Sequence, residues 1–233
     1  MHTLEMFNLA GRTALVTGGG HGIGRHLAVG LAEAGADVIV AGRKEGPLSE
    51  AVAAIEGLGV RAWAVQANLS KLPEIDALVA RATELAGGVD ILVNNAGMVW
   101  AAPTLDYPME GWDRVFDLNV RGLFYLSQQV ARGMRERGGG NIINIASISA
   151  WRCATDDAEP VVAYNASKGA VISLTRDLAV KLAADNIRVN GIAPGPFLTD
   201  MMNHVRHDEE KLKAFESGIP QGRSGTEDDI KGV

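Results

Sequence analysis

The sequence is poor in cysteine, in clustered positive charge and in long apolar runs, and each shortage excludes something. A single cysteine, Cys153, rules out an intrachain disulfide and a cysteine-based metal cluster, and no metal site is expected. Lysine and arginine number 22 against 28 aspartates and glutamates, a net charge of −6, and no basic run exceeds two residues. That excludes the basic face that a nucleic-acid-binding protein needs. No uncharged apolar stretch approaches about 18 residues, so no membrane-crossing helix is expected. The first eleven residues include Glu5 and lack the apolar core of a secretion signal. Proline and serine are nowhere concentrated enough to mark a linker, and no internal repeat is visible. The expectation is one soluble, cytoplasmic domain over residues 1–233.

Glycine, by contrast, is abundant, with 28 residues in 233 against an average near 7%. It has no fixed period, which excludes a collagen-like chain. Its clusters fall between apolar runs, as tight strand-to-helix turns would. The runs at 13–17, 37–41, 61–66, 91–94, 141–145 and 188–192 are mostly rich in valine and isoleucine, with few charges inside. Such runs suit strands buried on both faces of a parallel sheet. Between them, apolar residues recur with helical spacing over 24–34, 48–58, 73–85, 109–137 and 163–184. Strand and helix in alternation predict an α/β fold with a doubly wound parallel sheet.

The first strand runs straight into Gly18-Gly19-Gly20-His21-Gly22-Ile23-Gly24 and then a helix. A helix N-terminus attracts phosphate, and glycines let the backbone approach a pyrophosphate. The spacing G-x-x-x-G-x-G is neither the usual dinucleotide fingerprint nor a Walker loop. A ligand-free turn would read the same way, so the motif alone leaves both open. After the second strand come Gly42, Arg43 and Lys44. An acid usually holds that place where NAD is preferred. Arg43 would instead match a 2′-phosphate, unless the pair is simply a solvated loop.

Tyr164 and Lys168 stand four apart at the start of the last long helical pattern, hence on one helix face. A free phenol titrates near 10, and a neighbouring ammonium favours the phenolate. Lys168 is therefore expected to lower the Tyr164 pKa until the phenol can serve as an acid at neutral pH. Ser147 lies just past the fifth strand, where ligands bind in such sheets. Asn119 lies in the middle of the 109–137 pattern, where a pure packing role reads equally well.

TGGGHGIG (17–24), NNAG (94–97), Asn119, Ser147, YNASK (164–168) and Pro194-Gly195 occur in one order along essentially the whole chain. In this the sequence resembles the short-chain dehydrogenase/reductase family, in particular 3-oxoacyl-(acyl-carrier-protein) reductases and gluconate 5-dehydrogenases. The resemblance implies a Rossmann-type sheet of order 3-2-1-4-5-6, a homotetramer, and hydride transfer between NADP(H), or NAD(H), and a carbonyl or alcohol. It implies Tyr164 as general acid/base, Lys168 as its partner and a ribose ligand, Ser147 as the carbonyl-holding group and Asn119 as anchor of a proton-relaying water. It further implies that Gly18, Gly20, His21, Gly22, Ile23 and Gly24 line the pyrophosphate. Asn68 and Leu69 would meet the adenine, and Asn95, Ala96 and Gly97 would back the adenosine ribose and support the sheet. Pro194, Gly195 and Thr199 would approach the nicotinamide. The His21 position is often arginine in NADP-preferring relatives.

An oxoacyl thioester is one expected substrate; a sugar acid or polyol is the alternative. A non-catalytic nucleotide-binding regulator would have no need of the Asn119/Ser147/Tyr164/Lys168 set. Trp100, Trp151, Arg152, Phe197, Met201 and Met202 are pocket candidates, with a substrate loop over about 197–217. Tyr164 follows Ser147 by 17 positions, a few more than is common in the family, and the acidic stretch 154–160 is expected at the site rim. Near the end, Thr226 and Asp229 read as a helix start, with only four residues after Asp229, too few for a stable isolated helix. The family's seventh strand is missing from this sequence. Strand 188–192 should then be an exposed edge, and the natural chain is expected to continue further.

Overall fold

The computed structural model describes residues 2–198 and 208–232. Six parallel strands form one sheet: β1 (Thr13–Thr17), β2 (Asp37–Gly42), β3 (Ala62–Gln66), β4 (Ile91–Asn94), β5 (Gly140–Ile145) and β6 (Ile187–Ile192). Their order is β3-β2-β1-β4-β5-β6. Helices α1 (Gly22–Glu33), α2 (Glu45–Glu56), α3 (Leu72–Ala86), α4 (Met109–Phe116), α5 (Leu123–Glu136) and α6 (Val162–Lys181) provide the crossovers. Burial follows position in the sheet. Every residue of the central strand β1 is buried, whereas the edge strands β3 and β6 alternate, as strands covered on two faces or fewer should.

Successive side chains leave a strand on opposite faces, and the core divides accordingly. Leu15, Ile39, Leu92 and Ile142 pack with Ile75 and Leu78 of α3 and Leu126 and Met134 of α5. Val16, Val38, Val40 and Val93 pack on the other face with Leu27 and Ala28 of α1 and Leu48 and Ile55 of α2. The pairs Thr17↔Ala41, Asn94↔Asn144 and Ile145↔Ile192 align the carboxyl ends of the strands. At the crossover of direction, between β1 and β4, those ends open a crevice, the place where doubly wound sheets bind ligands.

Two expectations are corrected. The single helix over 109–137 is three pieces, because a π-helical turn, Asp117–Gly122, separates α4 from α5. The chain widens there around the Leu69 carbonyl: a Cβ on Gly122 would sit 2.1 Å from that oxygen. Asn119 is thereby turned inward, as inserted π turns often do at functional positions. The short C-terminal helix is also firmer than its length predicts. After α7 (Glu209–Ser217), helix α8 (Glu227–Lys231) has a capping box between Thr226 and Asp229. Its Ile230 is buried in the α1–α2 core. Lys231 pairs with Glu33 of α1 at 2.8 Å and also with Glu227. Tertiary burial supplies what an isolated turn lacks. β6 pairs with β5 alone among the described residues and leaves Arg188, Asn190 and Gly191 exposed.

Candidate active site

The glycine-rich turn between β1 and α1 is fixed from the side by the loop after β4. Thr17 Oγ1 accepts from Asn95 N at 2.9 Å and Ala96 N at 3.0 Å, and Asn95 Nδ2 donates to Thr17 O at 2.9 Å. Gly18 and Gly22 have φ of +65° and +53°, in the region that side chains disfavour. A Cβ on Gly24 would lie 2.3 Å from Gly18 O and 2.4 Å from Asn95 Nδ2. No side chain caps α1: His21 is extended there and makes no capping bond. The first-turn N–H groups therefore face the crevice with the positive end of the helix dipole, a fit for a phosphate. Asn95 supports this turn with its amide.

Arg43 follows β2, its carbonyl held by Gln66 Nε2 at 2.7 Å, and its guanidinium makes no hydrogen bond or ion pair with a described residue. Asn68 closes a turn into α3, its Oδ1 accepting from Ser70 N at 3.1 Å and its own N–H donating to Glu74 at 2.7 Å. The Leu69 side chain belongs to the α3–α5 core, so only its backbone could meet a ligand. Pro194 and Gly195 follow β6, and Pro194 O accepts from Ile148 N at 3.2 Å. Thr199, Met201 and Met202 lie outside the described residues.

The four expected catalytic residues converge at the carboxyl ends of β4 and β5. Asn119 is buried, with Oδ1 accepting from Met98 N at 2.9 Å and Nδ2 donating to Met98 O at 3.0 Å and Ser167 Oγ at 3.0 Å. Lys168 is buried too, and its Nζ donates to Ile145 O at 2.7 Å. A Cβ on Gly97 would come within 3.4 Å of Asn119 Oδ1 and 3.6 Å of Lys168 Nζ. Glycine thus keeps the space beside both groups open. Ser147 Oγ accepts from Ser149 N at 3.1 Å, and the Ser147 side chain lies close enough to the Tyr164 phenol to favour its ionised form.

The expected effect of Lys168 on the phenol is not what the structure shows. Burial pushes the Tyr164 pKa up, the Ser147 side chain opposes this, and the charge of Glu159 adds to the rise. The ammonium is aimed at the Ile145 carbonyl and stands 5.6 Å from the phenol ring centre. Burial also pulls Lys168 itself down to about 8. With these groups alone, the pair holds a neutral phenol beside a lysine near its titration point.

The pocket candidates separate. Trp100 packs against Gly111 and beneath the Arg114 guanidinium, 5.6 Å away, with its carbonyl bonded to Tyr107 Oη at 3.0 Å. Phe197 packs over Gly225 in the α1–α2 core. Trp151 and Arg152 are exposed, and Trp151 borders a cavity of about 150 Å³ with Ile172, Thr175 and Ile192. The groups the sequence did not single out are partners in the backbone or in known motifs: Met98, the Ile145 carbonyl, Thr17 and Ser167. Only Thr17 and Ser167 had a signal, since both lie inside the quoted motifs.

The comparisons agree with this geometry. The profile of the short chain dehydrogenase family matches residues 12–210. The 2-dehydro-3-deoxy-D-gluconate 5-dehydrogenase of Dickeya dadantii (strain 3937) is 40% identical over 230 residues, 98% of this chain and 88% of the relative. A 3-oxoacyl-(acyl-carrier-protein) reductase of rhamnolipid biosynthesis from Pseudomonas aeruginosa is 38% identical over 228 residues, 96% and 88% of the two chains. The crystal structure of a gluconate 5-dehydrogenase from Burkholderia cenocepacia J2315, in complex with NADP and tartrate, superposes with a TM-score of 0.90 at 35% identity. It covers 99% of this chain and 89% of that one. With the fold, the order of its strands and the sequence likeness in accord, the chain belongs to the short-chain dehydrogenase family and is an oxidoreductase of that family.

Proposed function

We propose that the protein is an NADP(H)-dependent dehydrogenase that interconverts a keto group and a secondary alcohol on a sugar acid. The observation that carries the reaction is the convergence of Asn119, Ser147, Tyr164 and Lys168 at the carboxyl ends of β4 and β5, with Gly97 keeping the space beside Asn119 and Lys168 open. The uncapped α1 start at Gly22, Ile23 and Gly24 suits the pyrophosphate, and the free Arg43 guanidinium suits a 2′-phosphate. The nicotinamide, when bound, supplies or takes the hydride.

This chain's residues orient the substrate and move the proton. The Ser147 hydroxyl and the Tyr164 phenol reach the same substrate oxygen. The phenol gives its proton to that oxygen in reduction and recovers it in oxidation. Lys168, near its titration point, re-protonates the phenol side of the site and holds positive charge beside it. Asn119, clamped on Met98, fixes the floor beneath Lys168. This geometry has no use in a non-catalytic regulator.

The sugar-acid reading draws on the relatives that act on gluconate derivatives, among them the Dickeya dadantii and Burkholderia cenocepacia proteins. The segment after Ser147 supports it: exposed Asp157 offers an acceptor for hydroxyl groups and exposed Arg152 a partner for a carboxylate. Oxoacyl thioester reduction is the second reading, favoured by the Pseudomonas aeruginosa relative. The reading extends to one catalytic domain working in the cytoplasm as a homotetramer; of the substrate loop expected over about 197–217, residues 209–217 are helix α7 and 199–207 lie outside the described residues. Exposed Met109, Phe124 and Val180 supply apolar surface for such an assembly. NADPH oxidation against 5-keto-D-gluconate, 2-dehydro-3-deoxygluconate derivatives, oxoacyl thioesters and simple ketones tests it. Turnover of the thioesters alone would replace the sugar-acid reading by the second.

A further inference from the structure

The segment between Ser147 and Tyr164 carries a feature that the catalytic reading leaves unused. It leaves Ser147 through the short turn Ile148–Ala150 and enters α6 at Val162, two residues before Tyr164. Both of its ends are therefore at reacting groups. Residues 153–158 are exposed, and the segment's only internal hydrogen bonds are local, such as Glu159 N to Thr155 O at 2.9 Å. Among the described residues, 153–160 is hydrogen-bonded to the chain beyond its own flanks at two places. Pro160 O accepts from Ala102 N at 2.9 Å. The Asp156 carboxylate accepts from Thr104 twice, from N at 2.9 Å and from Oγ1 at 2.7 Å.

The other partner is itself a fixed rail. The loop from β4 to α4 is tied at alternate residues: Met98 to Asn119, Trp100 to Tyr107, Ala102 to Pro160 and Thr104 to Asp156. Asn119, Trp100 and Tyr107 hold that loop against α4 and the π turn. The strap 153–160 hangs on its outer half.

We propose that Asp156 and Thr104 form a latch that fixes the strap as the outer wall of the substrate site, which makes Asp156 a positioning residue for the substrate. The inference rests on the reading of the Tyr164 site given above. A two-point, charge-assisted bond holds direction as well as distance, and it meets the strap midway between its two anchored ends. With Asp156 engaged, Asp157 and Glu159 remain as acceptors on the strap. Glu159 stands where its charge is felt by the phenol. Hydroxyl groups beside the reacting carbon find acceptors there, whereas a carboxylate is repelled. A hydroxylated keto acid therefore enters with its carboxylate directed away from the strap.

The test uses the full chain with Asp156→Ala, Thr104→Val and the double variant. The measurements are KM and kcat for 5-keto-D-gluconate with NADPH, NADPH affinity by fluorescence, and amide exchange at residues 100–106. Loss of the latch should raise KM about tenfold, the scale of one charge-assisted hydrogen bond, with kcat held within about twofold. NADPH affinity should not move, Ala102 and position 104 should exchange faster, and the double variant should be no worse than Asp156→Ala. Unchanged KM overturns the proposal even if exchange quickens, because the tie is then purely structural. A fall in kcat and NADPH affinity alongside the rise in KM also overturns it, since that marks general disruption. A wild type inactive on the keto acid refutes the substrate class, and KM is then read on whichever ketone or oxoacyl thioester the wild type turns over, with a rise at held kcat supporting the latch and an unchanged KM overturning it.

Discussion

Replacing Lys168 by methionine should abolish turnover and make the cofactor-free protein more stable at neutral pH. The ammonium is buried, no carboxylate acts on it, and desolvation holds its pKa at about 8 against an ordinary 10.5. A difference of about 2.5 units, at about 1.4 kcal/mol each, costs the folded state roughly 3 kcal/mol while the group is charged in both states. Methionine fills similar volume without the charge. It also removes the Nζ bond to Ile145 O at 2.7 Å, and leaving a buried acceptor unpaired costs about 1–3 kcal/mol. The net gain is about 0–2 kcal/mol. For a chain of this size that is up to roughly 8 °C in Tm.

The pH dependence carries the sign. Below pH 8, folded and unfolded chains both hold the proton, and the penalty on the wild type is complete. From pH 8 to about 10.5 the folded chain has released it while the unfolded chain has not, so wild-type stability rises with pH. The advantage of Lys168→Met should therefore shrink by about 2 kcal/mol between pH 7 and pH 9.5. Chemical denaturation of both cofactor-free proteins at the two pH values measures it. A variant less stable than wild type at pH 7, or an advantage that grows with pH, would show that Lys168 is not a buried, penalised cation.

Three further outcomes are expected. Tyr164→Phe should lose at least about 100-fold in kcat, the lower end of general acid catalysis, with NADPH affinity retained; near-normal turnover removes the phenol from the mechanism. Wild type should prefer NADPH to NADH by about tenfold or more in kcat/KM, a ratio that falls toward unity in Arg43→Ala; the same ratio in both proteins would clear Arg43 of any role. Gly24→Ala should destabilise by about 1–3 kcal/mol or more, since its methyl would lie 2.3 Å from Gly18 O and 2.4 Å from Asn95 Nδ2; an unchanged denaturation midpoint would refute the close packing of that turn.

The sheet was legible because its central strands are continuous apolar runs bounded by glycine turns, and each strand falls within a residue of its expected span at either end. Helix 109–137 misled because periodicity is blind to a π turn: Asn119 sits among apolar residues at an ordinary spacing, and only the Leu69 carbonyl, fifty residues away, explains the widening. The docking of Ile230 was equally hidden, since its partners on α1 precede it by some two hundred residues. At the site, the side chains were visible as motifs while their charges were not. The spacing of Tyr164 and Lys168 puts them together, but it does not say that Lys168 turns to Ile145 O and that burial raises the phenol.

Main-chain groups hold the site: Met98 N and O for Asn119, Ile145 O for Lys168, Ser149 N for Ser147. Their positions depend on where the ends of β4 and β5 lie relative to α5 and α6. A buried polar ladder sets that relation. Ser127 of α5 accepts from Asn94 Nδ2 at 2.8 Å, Asn94 Nδ2 donates to Asn144 Oδ1 at 2.9 Å, and Asn144 Nδ2 donates to Thr175 of α6 at 2.9 Å. Ser127 and Thr175 pass their own protons back to Leu123 O and Val171 O, each at 2.8 Å. In a buried, low-dielectric setting a fully satisfied network fixes geometry more tightly than apolar contact, which tolerates sliding. Thr175 lies two turns beyond Lys168 on α6, and Ser127 follows the π turn that carries Asn119. The ladder thus ties each catalytic helix to the strand end that receives its side chain, and a buried lysine can be kept in place at a cost to stability because the frame around it does not give.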